Sequence, residues 1–300
     1  MTAQARTDRT AGRFAWLKPP KLDESGAMSL WDHLREIRYR LIVSSLAVVV
    51  LFIVAFIFYR PIVELVLYPY TVAAEKVLER NPNAVIQVVN MGVATPMLLA
   101  LKASALAAII AACPVWLYQL WAFIVPGLLK KEKRIARLFL LSAIPLFLLG
   151  VGVGYIILPR AFEFMLGFTV AEAGVANLQD LNDFLALEMR MLLVFGVSFL
   201  LPVILVMLNM MGVLKSHQLK RVRTIAVFGC FVFGAVATPS GDPFSMLALS
   251  LPMVVMLLVS EFICARRDKA RLKQRIRAGE ITPEEAELEF LGKTSIEDDD

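Results

Sequence analysis

"LIVSSLAVVVLFIVAFIFY", Leu41 to Tyr59, is a run of 19 residues without a single charge. At 1.5 Å per helical residue it reaches about 28 Å, close to the roughly 30 Å hydrocarbon core of a bilayer. Hydrocarbon offers no partner to a free backbone N–H or C=O, so such a run reads as a transmembrane helix. Pro96 to Leu120, Leu138 to Leu158 and Phe184 to Leu208 read the same way, and two shorter segments follow, Thr224 to Ala237 and Ser245 to Cys264. The fifth covers only roughly 21 Å, so it either thins the bilayer or is shielded by its neighbours. A chain that is 58% hydrophobic and 19% charged, with mean hydropathy +0.69, has the composition of a multispanning membrane protein. The expected fold is all-α and polytopic, with six transmembrane helices of which the fifth and sixth are short.

Six spans place both termini on one side, and the positive-inside rule chooses which. With cytoplasmic termini, residues 1–40, 122–137, 209–223 and 264–300 hold 8, 5, 4 and 8 Lys and Arg, which is 25 of the 31 in the chain. The domain plan is then a polar cytoplasmic segment (1–28), a transmembrane domain (29–264) and a charged, solvated cytoplasmic tail (265–300) that is helical up to Gly279. The first 29 residues lack the apolar core and cleavage site of a secretory signal, so the first span is expected to serve for targeting. The basic residues sit in short clusters between apolar runs and not on one polar module, which argues for topology and against nucleic acid. Two external loops, Arg60 to Thr95 and Pro159 to Asp183, begin with "RPIVELVLYPY", an apolar stretch suited to lying at the interface or capping the bundle, and with "LPRAFEFMLGF", Leu158 to Phe168, read as a short amphipathic helix of the same character.

Catalytic signatures are missing from the sequence. It holds no G-x-x-x-x-G-K-[ST] loop, no H-E-x-x-H and no Cys/His cluster, so an enzyme, a metal and a cofactor are not expected. Cys113, Cys230 and Cys264 fall in or at the end of apolar segments and read as free thiols. What needs explaining is acid among base. In "HLREIRYRL", His33 to Leu41, Glu36 stands one helical turn from His33 and from Arg40, on a helix that Ser29 and Asp32 start near Leu30. The plain reading is an i,i+4 surface pair contributing a few tenths of a kcal/mol. In "YQLWAFIVPGLLKKEKR", Tyr118 to Arg134, Glu132 is again alone among bases. Two carboxylates on one cytoplasmic surface would be acceptors suited to bidentate guanidinium groups.

Inside the apolar spans, Lys102, Glu188 and Arg190 call for pairing, snorkelling or a functional role, since charge in lipid is costly. Ala100, Ser104, Ala108 and Ala112 recur every four positions, and Gly150 and Gly154 form a GxxxG; both predict close helix contacts within the bundle.

At these residues the chain resembles the TatC family, the multispanning receptor subunit of the twin-arginine protein translocase. The resemblance runs from Ser29 to about Cys264 and is carried by "HLREIRYRL", "PVWLYQLWAFIVPGLLKKEKR", "FGVSFLLPV" and "ATPSGDPFS". It implies that Glu36 and Glu132, with Phe123 and Arg38 around them, bind the twin-arginine signal peptide of folded cargo at the cytoplasmic face of a bacterial inner membrane. It also implies small single-span translocase subunits as partners, a homo-oligomer within a hetero-complex, and the proton-motive force as energy source. Pro69 and Asp242 match recurrent positions with structural or assembly roles, and Pro202 matches the proline of the fourth span. One position departs: many members carry a glutamate two residues before that proline, where this chain has Leu200. Glu188 lies twelve residues earlier, about 120° around and roughly 18 Å away on an α-helix, so the role does not transfer to it. An ion-coupled secondary transporter with coupling residues at the midplane, or a scaffold whose charges are purely topological, are the alternative classes.

Overall fold

The structure is a computed structural model that describes residues 30–82, 86–89, 92–124, 133–167, 177–237 and 243–292. It is built from helices α1 (Leu30–Ile57), α2 (Tyr59–Arg80), α3 (Thr95–Ala111), α4 (Cys113–Ile124), α5 (Lys133–Leu166), α6 (Leu181–Ser198), α7 (Leu201–Met210), α8 (Ser216–Ala237), α9 (Pro243–Arg277) and α10 (Pro283–Leu291). Four helical stretches are long and apolar enough to cross a membrane: Leu34–Ile57, Arg137–Leu166, Leu181–Met210 and Met246–Arg277. The bent pair α3 and α4 makes a fifth if it is one span. α8 covers the remaining apolar segment, but its first half, "SHQLKRVR", is strongly basic.

The hydropathy boundaries and the helix boundaries differ in a systematic way. α5 begins five residues before Leu138 and ends eight after Leu158, and α9 continues thirteen residues past Cys264. Backbone hydrogen bonding does not stop where lipid stops, so the helices run on into polar sequence. "LPRAFEFMLGF" is therefore no separate helix: α5 passes through Pro159 and buries Leu158, Ala161, Phe162 and Leu166 along one face. The second span departs from a straight rod, with α3 and α4 meeting at 57°. Pro114, in the first turn of α4, has no N–H to continue the ladder and its ring excludes the carbonyl four residues back. Across this bend the Trp116 indole N–H donates to the Ile109 carbonyl at 3.0 Å.

The described chain divides into two compact units, Met1–Phe58 with Ser104–Ile144, and Tyr59–Ala103 with Pro145–Asp300. In the first, α1 packs against α4, and Trp121 stacks on Phe139 of α5 with ring centroids 4.3 Å apart. In the second, α6 lies against α5. A Cβ on Gly150 would stand 2.6 Å from the Phe195 carbonyl oxygen, and one on Gly154 would stand 3.0 Å from the Phe195 side chain. The GxxxG is thus a contact inside the bundle, as its spacing predicts. The stripe Ala100, Ser104, Ala108 and Ala112 is buried throughout.

The segments between α2 and α3 and between α5 and α6 contribute a feature that the sequence reading lacked, a parallel pair of strands, β1 (Ile86–Val89) and β2 (Asn177–Asp180), with Ile86 opposite Asn177 and Val89 opposite Asp180. β-branched residues crowd the first, which favours extended chain. Asp180 then caps α6, its side chain accepting from the Asn182 N–H at 3.0 Å. Pro69 is fully buried within α2. Nearby, Tyr70 meets Phe184 edge-on at 4.8 Å, and Tyr155 donates its hydroxyl to the Leu65 carbonyl at 2.7 Å. All three cysteines are free and buried.

The tail is a correction to the sequence reading. Instead of a solvated extension, α9 ends at Arg277, the chain turns through Gly279 at φ 73°, and a Thr282–Glu285 capping box starts α10. α10 folds back on α8 and α9. Glu289 accepts from Arg275 at 2.7 Å and lies 3.5 Å from Lys215. Beneath it, Asp268 of α9 accepts from the Ser216 backbone N–H at 2.8 Å, at the positive N-terminus of α8, and from the Asn209 amide at 2.9 Å.

Two predictions follow from the packing. Gly150→Ala should lower the thermal unfolding temperature of the detergent-solubilised protein, since overpacking against a fixed carbonyl costs about 1–3 kcal/mol. Gly152→Ala, where a Cβ meets nothing within 4 Å, should leave it unchanged. For the tail, burial pushes the Glu289 carboxyl up, but the Arg275 hydrogen bond and the charges of Arg275 and Lys215 outweigh it and hold the group below its ordinary 4.5. A depressed folded pKa stabilises above the unfolded value and is lost as pH falls through the folded one. Hydrogen-exchange protection of α10 should therefore drop as pH falls below about 4.5, and Glu289→Gln should abolish that dependence.

Candidate functional site

Helix α1 carries its charges in its first turns, and 3.6 residues per turn divides them between faces. Glu36 is only 5% exposed, whereas Arg35 and Arg38 are exposed. Arg38 follows Glu36 by about 200° of helical rotation, so the structure puts it on the far side of α1 from the carboxylate. Glu36 is paired within its own helix. Arg40 donates from Nε to Oε1 at 2.9 Å and from a terminal nitrogen to the same oxygen. The i,i+4 pair expected from the sequence is present, but it is not a surface pair: the side-chain exposures are 20% for Arg40 and 7% for Glu36.

Arg40 reaches further, donating to the Gln119 side-chain oxygen of α4 at 3.3 Å. Glu36, Arg40 and Gln119 thus form a polar chain joining the two helices at the first unit's charged end. The second carboxylate oxygen, Oε2, is buried and has no partner among the described residues. A buried carboxylate with one oxygen held and the other unmet is a natural acceptor for a further N–H donor. Phe123 lies half-buried on α4, one turn beyond Gln119. Glu132 and Asp242 lie outside the described residues. Gln119 is the member that sequence reasoning missed. Its signal was its place as the single amide in "CPVWLYQLWAFI", on the helix that α1 packs against.

The intramembrane charges separate clearly. Lys102 donates to the Asn182 side chain at 3.2 Å. Arg190 is exposed. Glu188 does not snorkel: it is fully buried, and neither carboxylate oxygen has a partner among the described residues. It therefore offers no carboxylate on an outer surface in place of the missing glutamate at Leu200, which is itself buried at the break between α6 and α7. Pro202 sits in the first turn of α7, buried, where its missing N–H ends the ladder of α6. Among the described residues no cluster of His, Cys, Asp and Glu could hold a metal.

The family model described as Sec-independent protein translocase protein (TatC) matches residues 32–252. The chain belongs to the TatC family. The Sec-independent protein translocase protein TatC of Frankia casuarinae is 36% identical over 87% of this chain and 71% of its own length. That of Escherichia coli strain K12 is 33% identical over 78% of this chain and 86% of its own. A solved structure described as the twin arginine translocase receptor TatC in DDM superposes with a TM-score of 0.65 at 30% identity, covering 77% of this chain and 99% of that one. The match begins at Asp32 and so takes in Glu36, Arg40 and Gln119. TatC is a membrane-embedded subunit of a protein translocase and not an enzyme family.

The pairing of Glu36 generates a stability prediction. Arg40→Gln leaves a buried carboxylate without its cation and should destabilise the detergent-solubilised protein by about 3 kcal/mol. Glu36→Gln combined with Arg40→Gln should recover most of that loss, read as the difference in unfolding temperature between the single and double variants.

Proposed function

We propose that this chain is the receptor of a twin-arginine translocase, and that Glu36, with Glu132, Phe123 and Arg38, receives the paired arginines of a signal peptide at the cytoplasmic face. The observation that carries the reading is the buried Glu36 carboxylate, one oxygen on Arg40 and the other unmet. An incoming guanidinium has the planar fork to take the free oxygen and to compete with Arg40 for the other. An ammonium has no such fork. Arg38, on the exposed side of α1, contributes to the surrounding surface and not to the carboxylate itself. Pro69, Pro202, Asp242 and Glu188 act in structure or assembly.

Six spans with both termini cytoplasmic complete the reading, supported by the location of 25 of 31 basic residues and with α8 as the short fifth crossing. Small single-span translocase subunits join it, several copies assemble, and the proton-motive force drives transport. The membrane is the bacterial inner membrane.

Binding of a fluorescent twin-arginine peptide to the solubilised protein tests this. Glu36→Gln should weaken it by at least roughly tenfold, the scale expected when one partner of a buried, charged hydrogen bond is truncated. A twin-lysine peptide should bind weakly to both proteins. Equal affinity of wild type and Glu36→Gln would remove Glu36 from the site.

A further inference from the structure

A groove of about 1220 Å³ lies between α8, α9 and the end of α10. Its walls differ in chemistry. On α8, His217, Lys220 and Arg221 recur at i, i+3 and i+4 and share one face. On α9, Leu258, Phe262 and Ala265 lie on the facing stripe, and Leu291 of α10 closes the top.

The charges there are only partly used. Arg223 pairs with Glu261 at 3.7 Å. Lys220 and Arg221 are exposed and have no acidic partner within 4 Å among the described residues. Arg266 stands over the Phe262 ring at 4.5 Å. At Thr224 the basic half of α8 gives way to its apolar half, where Ile225, Phe228 and Val232 are exposed. A cationic face beside an apolar wall that continues into exposed apolar side chains complements a molecule with an anionic head and hydrocarbon tails.

We propose that this groove binds an anionic glycerophospholipid of the surrounding bilayer, with Lys220 and Arg221 on its phosphate and the Leu258–Phe262 stripe along its acyl chains. The tail helix is part of the site. Glu289, held by Arg275 and Lys215, fixes α10 so that Leu291 and Gly292 form the upper wall. A Cβ on Gly292, at φ 73°, would collide with the His217 ring, so the close approach of tail to α8 depends on a glycine there. That the groove faces the cytoplasmic leaflet rests on the orientation proposed above; binding itself does not.

Native mass spectrometry of the full chain in mild detergent, with phosphatidylglycerol or phosphatidylcholine added at equal concentration, tests the proposal whichever way the protein is oriented. Each basic residue near an anionic head contributes about a fivefold preference. Wild type should therefore retain phosphatidylglycerol over phosphatidylcholine by roughly tenfold or more, and Lys220→Gln with Arg221→Gln should lose the preference. Lys269→Gln with Lys273→Gln, which removes the same charge from exposed positions on α9, should keep it. Soluble glycerol phosphate should not displace the lipid. Equal retention of both lipids by wild type, equal loss in the Lys269 and Lys273 control, or displacement by glycerol phosphate would each overturn the proposal. So would a preference that emerges only after removal of residues 293–300, "KTSIEDDD", since the groove would then belong to the chain's own acidic end.

Discussion

Hydrocarbon cannot hydrogen-bond, and the rest of this structure depends on that constraint. Every stretch that crosses lipid must satisfy its own backbone, so the spans are helices and, among the described residues, the strands β1 and β2 lie in connecting segments. The same constraint makes each break in a span informative. The bend of 57° between α3 and α4 and the stop between α6 and α7 both coincide with a proline near the start of the following helix, where the unsatisfied N–H is removed instead of being exposed. Small residues then let the helices meet: Gly150 and Gly154 admit Phe195 to within van der Waals contact of the α5 backbone.

Charge is handled by the same logic. Lys102 finds the Asn182 amide, Asp268 finds the N-terminus of α8, and Glu36 finds Arg40. Glu36 differs from the others in keeping one buried oxygen unmet among the described residues. A carboxylate left half-satisfied next to a membrane boundary favours a visiting donor over the empty state. In the function proposed above, recognition of an arginine pair would be an exchange of one guanidinium for another, with Gln119, which already accepts from Arg40, available to hold it. Glu188 shares the unmet state, with both carboxylate oxygens buried and without a partner among the described residues.

The sequence shows much of this architecture, for physical reasons that also set its limits. Hydropathy located the long spans because lipid selects apolar runs, yet it placed the ends of α5 and α9 several residues short, because helices continue into water. GxxxG foretold a close contact within the bundle, since spacing alone puts both glycines on one face; that α6 makes it came from the structure. The pairing of Glu36 with Arg40 was legible from i,i+4 spacing; its burial was not, because burial is conferred by α4, nearly eighty residues away. α10 was missed although "TPEE" carries a capping box, since a short amphipathic helix is stabilised by what it docks on, here Arg275, Lys215 and the His217 region.

In the proposed function an arginine pair is received where α1 meets α4. A signal peptide carrying a photoreactive residue next to its arginines, cross-linked to the full-length protein and mapped by mass spectrometry, tests it most directly. Adducts are expected near Glu36 on α1 and between Gln119 and Phe123 on α4. Adducts confined to α8, α9 and α10, with none on α1 or α4, would contradict it.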